Sequence, residues 1–421
     1  MPGHKGVSRL GIEEFDLTEV SGADSLFEAD GIIFESEKNA GQLFGAKTFF
    51  SAGGSSLSIR AMLYLAKVNS GKSRLIAGRN AHKSLVQSAA LLGIDVDFIW
   101  GEGDGFVSRR INAKDVEKAI HESDDVMAVY ITAPDYLGVS SDLSAIAEVC
   151  HLYGLPLLVD NAHGAYLKFL TPSRHPIDLG ADMCADSAHK TLPALTGASY
   201  LHIAHSDKYG FSSGAREALS LFGSTSPSYL ILASLDLTNK YINDGYRHRL
   251  SAFVEKLNIF RLRLEDLGYN LVDTSTTDPL KITFRAWEYG ITGTDLGNFL
   301  RRGGIECEFS DRDYLVLMLT PDNSEDELEL LYKLLSTLPK GTALKRVSFA
   351  DFVPARATSI RDAVMSSYER ISICETVGRV LASPSVPCPP AVPILVPGEL
   401  VDERAVSVYE YYGIKELFVK K

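Results

Sequence analysis

The residues with the clearest chemical potential lie in the segment ADSAHKTLPALTGASYL, at positions 185–201. An apolar run ends at Asp186, and Ser187, His189 and Lys190 follow where a strand would leave a sheet. A lysine amine that burial deprives of its proton can form a Schiff base with an aldehyde cofactor or a carbonyl substrate. Taken alone, a lysine is more often a solvated surface residue, so this interpretation needs support from other segments.

A carboxylate follows a second apolar run, LPLLVDNAHGAYL at 155–167, which delivers Asp160 at its carboxyl end. Removing a carboxylate from water is costly unless the carboxylate meets a cation, and a protonated pyridine nitrogen is such a cation. The alternative is that Asp160 only caps a helix or begins a turn.

Two further segments could contact the phosphate and the ring of the same cofactor. In FFSAGGSSLSIRAM (49–62), glycines and a helix start would turn N–H groups toward an anion, and Ser55 and Ser56 would add hydroxyl donors. In GRNAHKS (78–84), the imidazole of His82 could stack on an aromatic ring. Each segment has a plain structural alternative, a tight turn or a helix-start histidine. In their chain order, however, the four segments describe a pyridoxal phosphate (PLP) site.

The elements that would position these residues alternate between strand and helix from about residue 47 to 204. Strands are predicted at 47–51, 74–77, 96–100, 126–132, 155–160, 183–186 and 199–203, and helices at 56–68, 82–92, 113–121 and 143–152. Asn80 is predicted to cap the helix that Gly93 ends, and Asp142 the helix that Gly154 ends. This alternation predicts an α/β fold with a mostly parallel, seven-stranded sheet, and ligands of such sheets lie beyond the carboxyl ends of the strands.

The pattern changes near residue 228, where helical periodicity begins and continues to Gly268. Strands near 280–285 and 314–320 and a helix at 324–338 then indicate a second, smaller α+β portion. We predict a large cofactor-binding domain with an N-terminal arm at 1–241 and a smaller C-terminal domain at 242–421. Its Pro-rich segment, 383–399, is expected to run as extended chain and turns over a surface.

The amino-acid composition limits which kinds of binding partner and which cellular compartment are expected. The 421 residues include 42 Lys and Arg against 54 Asp and Glu, a net charge of −12. An acidic balance argues against nucleic acid and is compatible with a cationic small substrate, although surplus acid also simply keeps proteins soluble. Five scattered cysteines predict neither a disulfide framework nor a metal site, and therefore a reducing, cytoplasmic compartment. No apolar run suggests a signal peptide or a membrane span.

The motifs resemble those of the Orn/Lys/Arg decarboxylases, PLP enzymes of the aspartate-aminotransferase fold (fold type I). The matching stretches are MPGHKG (1–6), FDLTEVSGADSLFEADGII (15–33), FGAKTFFSAGGSS (44–56), RNAHKS (79–84), VDNAHG (159–164), DSAHKTLPALTGAS (186–199), STSPSYLILASLD (224–236) and VPILVPGE (392–399). They extend over almost the whole chain. The DSAHK, RNAHKS and TSPSY motifs are specific to this family within the fold, whereas a lysine after a strand is shared by the whole fold.

The resemblance implies that Lys190 is the Schiff-base lysine, that Asp160 contacts the pyridinium nitrogen and that His82 stacks on the ring. The other residues expected around the cofactor are Gly54, Ser55, Ser56, Ala162, His163, Ser187 and His189. Family members resemble one another in being at least homodimers with active sites at the interface. Thr225 and Ser226 would then reach the phosphate of the neighbouring subunit.

The implied reaction is decarboxylation of a basic amino acid, arginine, lysine or ornithine, to the corresponding amine and carbon dioxide. Glu308, in GGIECEFSDRDYLVLML, aligns with an acidic position expected near the distal cation of the substrate. The alternative interpretation of Glu308 is a solvent-facing residue of an edge strand.

Two other functions of the protein stay open, namely another PLP reaction on the same fold, such as transamination or lyase chemistry, and a non-catalytic homologue. Intact Lys190, Asp160 and His82 argue against the latter.

The sequence departs from the family pattern in two places. Larger members carry an N-terminal wing domain that is not found here, so the N-terminus is expected to be either minimal or truncated. Cys388 and Ala391, in CPPAVP, stand where YPPGIP-like sequence is common. These changes bear on substrate choice more than on cofactor binding.

Overall fold

The structure is a computed structural model, and it describes residues 1–103, 105–348, 352–384 and 390–421. The strands are β1 (Ala46–Ser51), β2 (Arg74–Gly78), β3 (Asp95–Ile99), β4 (Val126–Thr132), β5 (Leu157–Asp160), β6 (Met183–Asp186), β7 (Ser199–Ala204), β8 (Lys281–Arg285), β9 (Phe309–Ser310), β10 (Tyr314–Met318), β11 (Tyr368–Ser372), β12 (Leu381–Ser383) and β13 (Glu416–Lys420). The helices are α1 (Ile32–Phe44), α2 (Gly54–Ser70), α3 (Lys83–Leu92), α4 (Ala113–Glu122), α5 (Leu143–Leu152), α6 (Ala188–Thr191), α7 (Ala215–Phe222), α8 (Tyr229–Asn243), α9 (Tyr246–Asp266), α10 (Gly293–Arg302), α11 (Glu325–Thr337), α12 (Ile360–Val364) and α13 (Glu403–Tyr411).

The first seven strands form one sheet in the order β1-β7-β6-β5-β4-β2-β3. The pairs from β3 through β6 are parallel, and β7 is antiparallel to both β6 and β1. The predicted mostly parallel, seven-stranded sheet is therefore confirmed, with strand bounds within two residues of those expected. Apolar clusters cover both faces of the sheet, which explains why its central strands are almost continuously apolar.

The helix caps agree with the sequence at one predicted position and differ at another. Asp142 accepts a hydrogen bond from the Ala145 N–H and caps α5, as predicted. The cap of α3 is His82 and not Asn80, because His82 Nδ1 accepts from the Ser84 N–H at 3.1 Å. The side chain of Asn80 instead donates to the carbonyl of Arg109. The predicted C-cap Gly93 is confirmed in the left-handed conformation.

The helical region after residue 228 consists of two helices, α8 and α9, which are separated at Asp244 and Gly245. Beyond them, β8, β10 and β9 form one antiparallel sheet, and β11, β13 and β12 form a second one near the C-terminus. The division into domains at 241/242 stays a prediction. Among the described residues, none of the helices combines the length and the apolar character that crossing a membrane requires.

The Pro-rich segment contradicts one expectation. Cys388 lies outside the described residues, as does the rest of 385–389, but 390–399 is almost entirely buried and does not run over a surface. Residues 390–399 form neither helix nor strand, as expected from the prolines of the segment. Burial is possible because the guanidinium of Arg79 donates to the carbonyls of Pro393 (2.9 Å) and Ile394 (2.8 Å).

We expect Arg79→Met to lower the free energy of unfolding by about 3 kcal/mol. Arg79 is 4% exposed, and its guanidinium also lies 3.2 Å from the Glu399 carboxylate, so the substitution leaves a buried charge and two carbonyls without their donor. Denaturant unfolding measures the loss, with Arg370→Met, in an exposed ion pair with Glu416, as the matched control. Equal effects of the two substitutions would contradict the assigned role of Arg79.

Candidate active site

A cavity of about 230 Å³ lies at the edge of the large sheet where the parallel strands end. Its lining residues are Gly54, Ser55, Ser56, Asn80, His82, Thr132, Pro134, Tyr136, Asp160, Ala162, His163, Ser187, His189, Lys190, Pro390 and Val392. The structure therefore brings together the candidates from all four segments singled out in the sequence. We call this cavity the catalytic pocket.

One wall of the catalytic pocket is suited to an anion. Helix α2 begins at Gly54 and has no side-chain cap. The Gly54 N–H donates to the carbonyl of Gly197 at 2.8 Å, so the N–H groups of the residues that follow Gly54 are the ones that could bind a ligand. The hydroxyl of Ser187 donates to that of Ser55 at 2.7 Å, which places two hydroxyl groups at the same helix start. Gly54 has a φ of +69°, in the left-handed region that favours glycine. This wall fits a phosphate group.

The catalytic pocket contains a buried carboxylate whose hydrogen bonds come from neutral donors. Asp160 is 2% exposed and accepts hydrogen bonds from the Tyr130 hydroxyl (3.1 Å) and the Ala162 N–H (3.2 Å), which are neutral donors. Burial raises the pKa of Asp160, although the nearby ammonium of Lys190 opposes that rise. A protonated ring nitrogen next to Asp160 would supply the missing cation.

The amine of Lys190 lies against a neutral histidine. Lys190 Nζ is 2.9 Å from His163 Nε2 and 5.9 Å from the centre of the Tyr136 ring. Burial, reinforced by the charge of Lys190, lowers the pKa of His163 far below its usual value. Neutral His163 can therefore accept a hydrogen bond from the Lys190 ammonium at Nε2 when its own ring proton is on Nδ1.

His82 both lines the catalytic pocket and caps a helix. Its Nδ1 caps α3, and its ring borders the catalytic pocket. Burial and the charge of Lys190 lower the pKa of His82 to about 3, so the ring is uncharged at neutral pH. An uncharged imidazole can stack on an aromatic cofactor without placing a second cation beside the ring nitrogen.

We expect two substitutions of His82 to distinguish the contribution of its ring to cofactor binding from the contribution of its helix cap to stability. His82→Ala and His82→Phe both remove the cap and should each lower the free energy of unfolding by about 1 kcal/mol. Only His82→Ala removes the stacking face, so it should weaken PLP binding about tenfold while His82→Phe stays close to the wild type. Fluorescence titration of the apoprotein with PLP measures the affinity. Equal weakening in both variants would show that the ring face does not contact the cofactor.

A buried polar network next to the catalytic pocket connects the end of β5, where Asp160 lies, to the end of β6, which precedes the short helix that contains Lys190. Asp186 accepts from Asn161 Nδ2 at 2.7 Å, and it lies 3.0 Å from His175 Nε2 and 3.3 Å from His202 Nε2. Burial alone would raise the pKa of Asp186, but the two histidines outweigh it and hold the pKa below its usual range. Because Asn161 follows Asp160, the network ties the end of β5 to the end of β6.

Three of the predicted site residues do not line the catalytic pocket. Thr225 and Ser226 are exposed on the surface of the chain. Glu308 lies before the edge strand β9, where its Oε1 accepts from the Tyr136 hydroxyl at 3.3 Å. Tyr136 itself borders the pocket and packs against His163, with 4.7 Å between the ring centres. Glu308 is thus one side chain away from the pocket.

Sequence reasoning missed several lining residues. Thr132 ends β4 and Tyr136 follows it, so the strand-end rule that selected Asp160 would have selected them as well. The Thr132 hydroxyl is buried without a hydrogen-bond partner among the described residues, as expected of a group that faces a ligand. Pro390 and Val392 come from the distant Pro-rich segment, and no local pattern indicated them.

The sheet topology, the anion-binding helix start, the buried carboxylate and the buried amine together define a fold-type I PLP enzyme. The residues fit the cofactor: Gly54, Ser55 and Ser187 would hold its phosphate, Asp160 its ring nitrogen, and Lys190 its aldehyde carbon.

Solved structures of other proteins have the same fold. Constitutive lysine decarboxylase of E. coli has a TM-score of 0.77 at 20% identity, over all of this chain and 79% of that chain. Lysine decarboxylase A of Pseudomonas aeruginosa has a TM-score of 0.79 at 19% identity, over all of this chain and 78% of that chain.

The chain belongs to the Orn/Lys/Arg decarboxylase family, which is PLP-dependent. Family models match its residues 12–283 (Orn/Lys/Arg decarboxylase, major domain) and 343–421 (Orn/Lys/Arg decarboxylase, C-terminal domain). An arginine decarboxylase of Halalkalibacterium halodurans is 33% identical over 93% of this chain and 83% of its own length. An arginine decarboxylase of Bacillus subtilis is 30% identical over 97% of this chain and 88% of its own length. The predicted family, fold and cofactor are confirmed.

Proposed function

We propose that this enzyme decarboxylates a basic amino acid, that arginine is its principal substrate, and that Glu308 anchors the substrate's distal cation. The position of Glu308 supports this most directly, since its carboxylate meets the hydroxyl of a residue, Tyr136, that lines the catalytic pocket. A guanidinium or ammonium group that reaches past Tyr136 would find an acceptor there. Arginine is placed first because the full-length relatives named above are arginine decarboxylases.

Three residues of the catalytic pocket have separate roles in the proposed reaction. When bound, PLP supplies an electron sink for the electrons that the departing carboxylate leaves behind. Asp160 keeps the ring nitrogen protonated, and His82 holds the ring against the pocket wall. Lys190 Nζ, hydrogen-bonded to His163 Nε2 at 2.9 Å, returns a proton to the substrate carbon after carbon dioxide leaves.

We further propose that the active enzyme is a homodimer whose Thr225 and Ser226 complete the phosphate site of the neighbouring subunit. Both residues are exposed in the single chain, and they lie at the start of α8, away from the chain's own catalytic pocket. A cytoplasmic location is proposed as well. It is supported by the cysteines of the described residues, Cys150, Cys184, Cys307 and Cys374, which are all free thiols.

We expect Glu308→Gln to raise the KM for arginine about ten- to hundredfold with a smaller change in kcat, because it removes a charge-assisted hydrogen bond to the substrate tail. Carbon dioxide release is measured with arginine, lysine and ornithine. Glu306→Gln is the matched control, since Glu306 is exposed and paired with Arg301.

Two outcomes would overturn parts of this proposal. An unchanged KM in Glu308→Gln would remove Glu308 from substrate recognition while leaving the reaction class intact. A higher kcat/KM for lysine or ornithine than for arginine in the wild type would overturn the choice of arginine.

A further inference from the structure

A second cavity, of about 360 Å³, lies beside the catalytic pocket, and its volume is that of a small-molecule site. It is formed by the start of α10, the segment around β9 and the C-terminal region. Pro390 and Val392 line both cavities. The residues that give the second cavity its chemical character are Phe106, Phe309, Asp311, Arg312, Tyr411 and Tyr412.

Asp311 lines the second cavity, and one oxygen of its carboxylate lacks a donor. Its Oδ1 accepts from the N–H groups of Asp313 (2.8 Å) and Tyr314 (2.7 Å). Its Oδ2 is buried and has no hydrogen-bond partner among the described residues. Burial, with the charge of Asp313 adding to it, raises the pKa of Asp311 to about 7. A ligand that donates N–H groups would satisfy this oxygen, whereas an apolar ligand would leave it unpaired.

Two groups beside the second cavity that could bind an anion, the start of α10 and the guanidinium of Arg312, are already engaged. The first N–H groups of α10 are used, since Gly293 donates to the carbonyl of Arg312 (3.1 Å) and Thr294 to that of Asp311 (2.7 Å). The guanidinium of Arg312 is exposed and stacks on Tyr411, 4.5 Å from the ring centre. Neither feature offers the concentrated positive charge that an anion requires.

The aromatic walls favour a cation. Phe106 and Tyr412 pack edge to face with 4.9 Å between ring centres, and aromatic faces attract ammonium and guanidinium groups. Asp313, the other acid nearby, is already paired with the hydroxyls of Tyr411 (2.6 Å) and Tyr412 (3.1 Å) and with Arg346, whose Nε lies 3.6 Å from Asp313 Oδ2. The charge of Arg346 also opposes the rise in the pKa of Asp311 without cancelling it. Asp311 is therefore the acid left for a ligand.

We infer that the second cavity binds a small organic cation, of the alkylamine or alkylguanidine class, at the Asp311 carboxylate and separately from the catalytic pocket. The amines that decarboxylation of basic amino acids produces belong to this class. Packed side chains also connect the second cavity to the catalytic pocket. Phe309 lines the second cavity and packs against Tyr136, with 5.4 Å between ring centres, and Tyr136 holds Glu308.

Isothermal titration with 1,4-diaminobutane tests this inference. The PLP-loaded Glu308→Gln variant serves as the background, because it lacks the acid proposed to bind cations in the catalytic pocket. We expect it to keep one binding site, and we expect the added substitution Asp311→Asn to weaken that site at least about tenfold. The asparagine amide keeps an acceptor oxygen for the two backbone N–H groups, so the fold should be retained. Glu306→Gln, at an exposed acid outside the cavity, should leave binding unchanged.

A second variant and a neutral probe make the test independent of Asp311→Asn. Ile414→Trp should fill the second cavity and abolish binding of the diamine, while 1-butanol should not bind to the Glu308→Gln background at all. Absence of diamine binding to this background would overturn the inference, as would binding that both Asp311→Asn and Ile414→Trp leave unchanged. Equal binding of 1-butanol would show a merely apolar cavity and would overturn it too.

Discussion

Lys190→Ala should reduce carbon dioxide release by at least about three orders of magnitude and should abolish the visible absorbance band of the PLP-loaded enzyme. In the function proposed above, the side chain has two roles that alanine cannot replace. Its amine forms the covalent bond to the cofactor, and, hydrogen-bonded to His163 at 2.9 Å, it supplies the proton that the reaction requires. Absorbance spectra with added PLP and a carbon dioxide assay without any keto-acid acceptor measure the two losses.

The control for this experiment is Lys208→Ala, since Lys208 is exposed and outside the catalytic pocket. It should keep both the absorbance band and the activity. The assay without a keto acid also separates decarboxylation from transamination, which needs an acceptor. A folded Lys190→Ala protein that retained the band would refute the assignment of Lys190 and leave only the fold established.

The large sheet and the strand-end positions of Asp160 and Lys190 could be predicted because they depend on local pattern. A run such as LPLLVD is apolar on both faces only in a sheet that is covered on both sides, and a polar residue that ends the run must lie at the sheet edge. The cap of α3 shows the limit of such reasoning. Asn80 is the better capping residue by type, but the chain enters the helix two residues later and the ring nitrogen of His82 takes that role.

Contacts between distant segments could not be predicted from local pattern. Glu308 meets Tyr136 across 172 positions of sequence, and Pro390 reaches the catalytic pocket from a segment that was expected on the surface. Prolines in a sequence indicate that a strand or helix is disfavoured, but they do not indicate whether the segment is buried or exposed. What made burial possible is Arg79, more than 300 residues earlier, whose guanidinium satisfies the segment's carbonyls.

Asp160→Asn should reduce the rate of decarboxylation by about three orders of magnitude, close to the effect of removing Lys190. In the function proposed above, the carboxylate keeps the ring nitrogen of PLP protonated, and a neutral amide at the same position cannot do so. The amide oxygen can still accept from the Ala162 N–H, and the amide NH2 can donate to the Tyr130 hydroxyl, so the pocket should keep its shape. Asp124→Asn, at an exposed position, is the control. A variant with more than a tenth of the wild-type rate would contradict the role of Asp160.

The same substitution should stabilise the apoprotein. Burial raises the pKa of Asp160 in the folded state above its unfolded value, so ionisation disfavours folding. The penalty is absent below the unfolded pKa and grows as the pH rises through the folded pKa. Thermal unfolding of apo Asp160→Asn should therefore match the wild type near pH 4 and exceed it at pH 8, by about 1–2 kcal/mol.

Addition of PLP should reverse this order at pH 8, because the wild-type carboxylate then gains a cationic partner that the amide cannot use. The comparison needs only melting curves of the two proteins with and without cofactor. If the apo wild type were the more stable protein at pH 8, the buried carboxylate would already have its cation within the chain. The assignment of Asp160 to the ring nitrogen would then lose its physical basis.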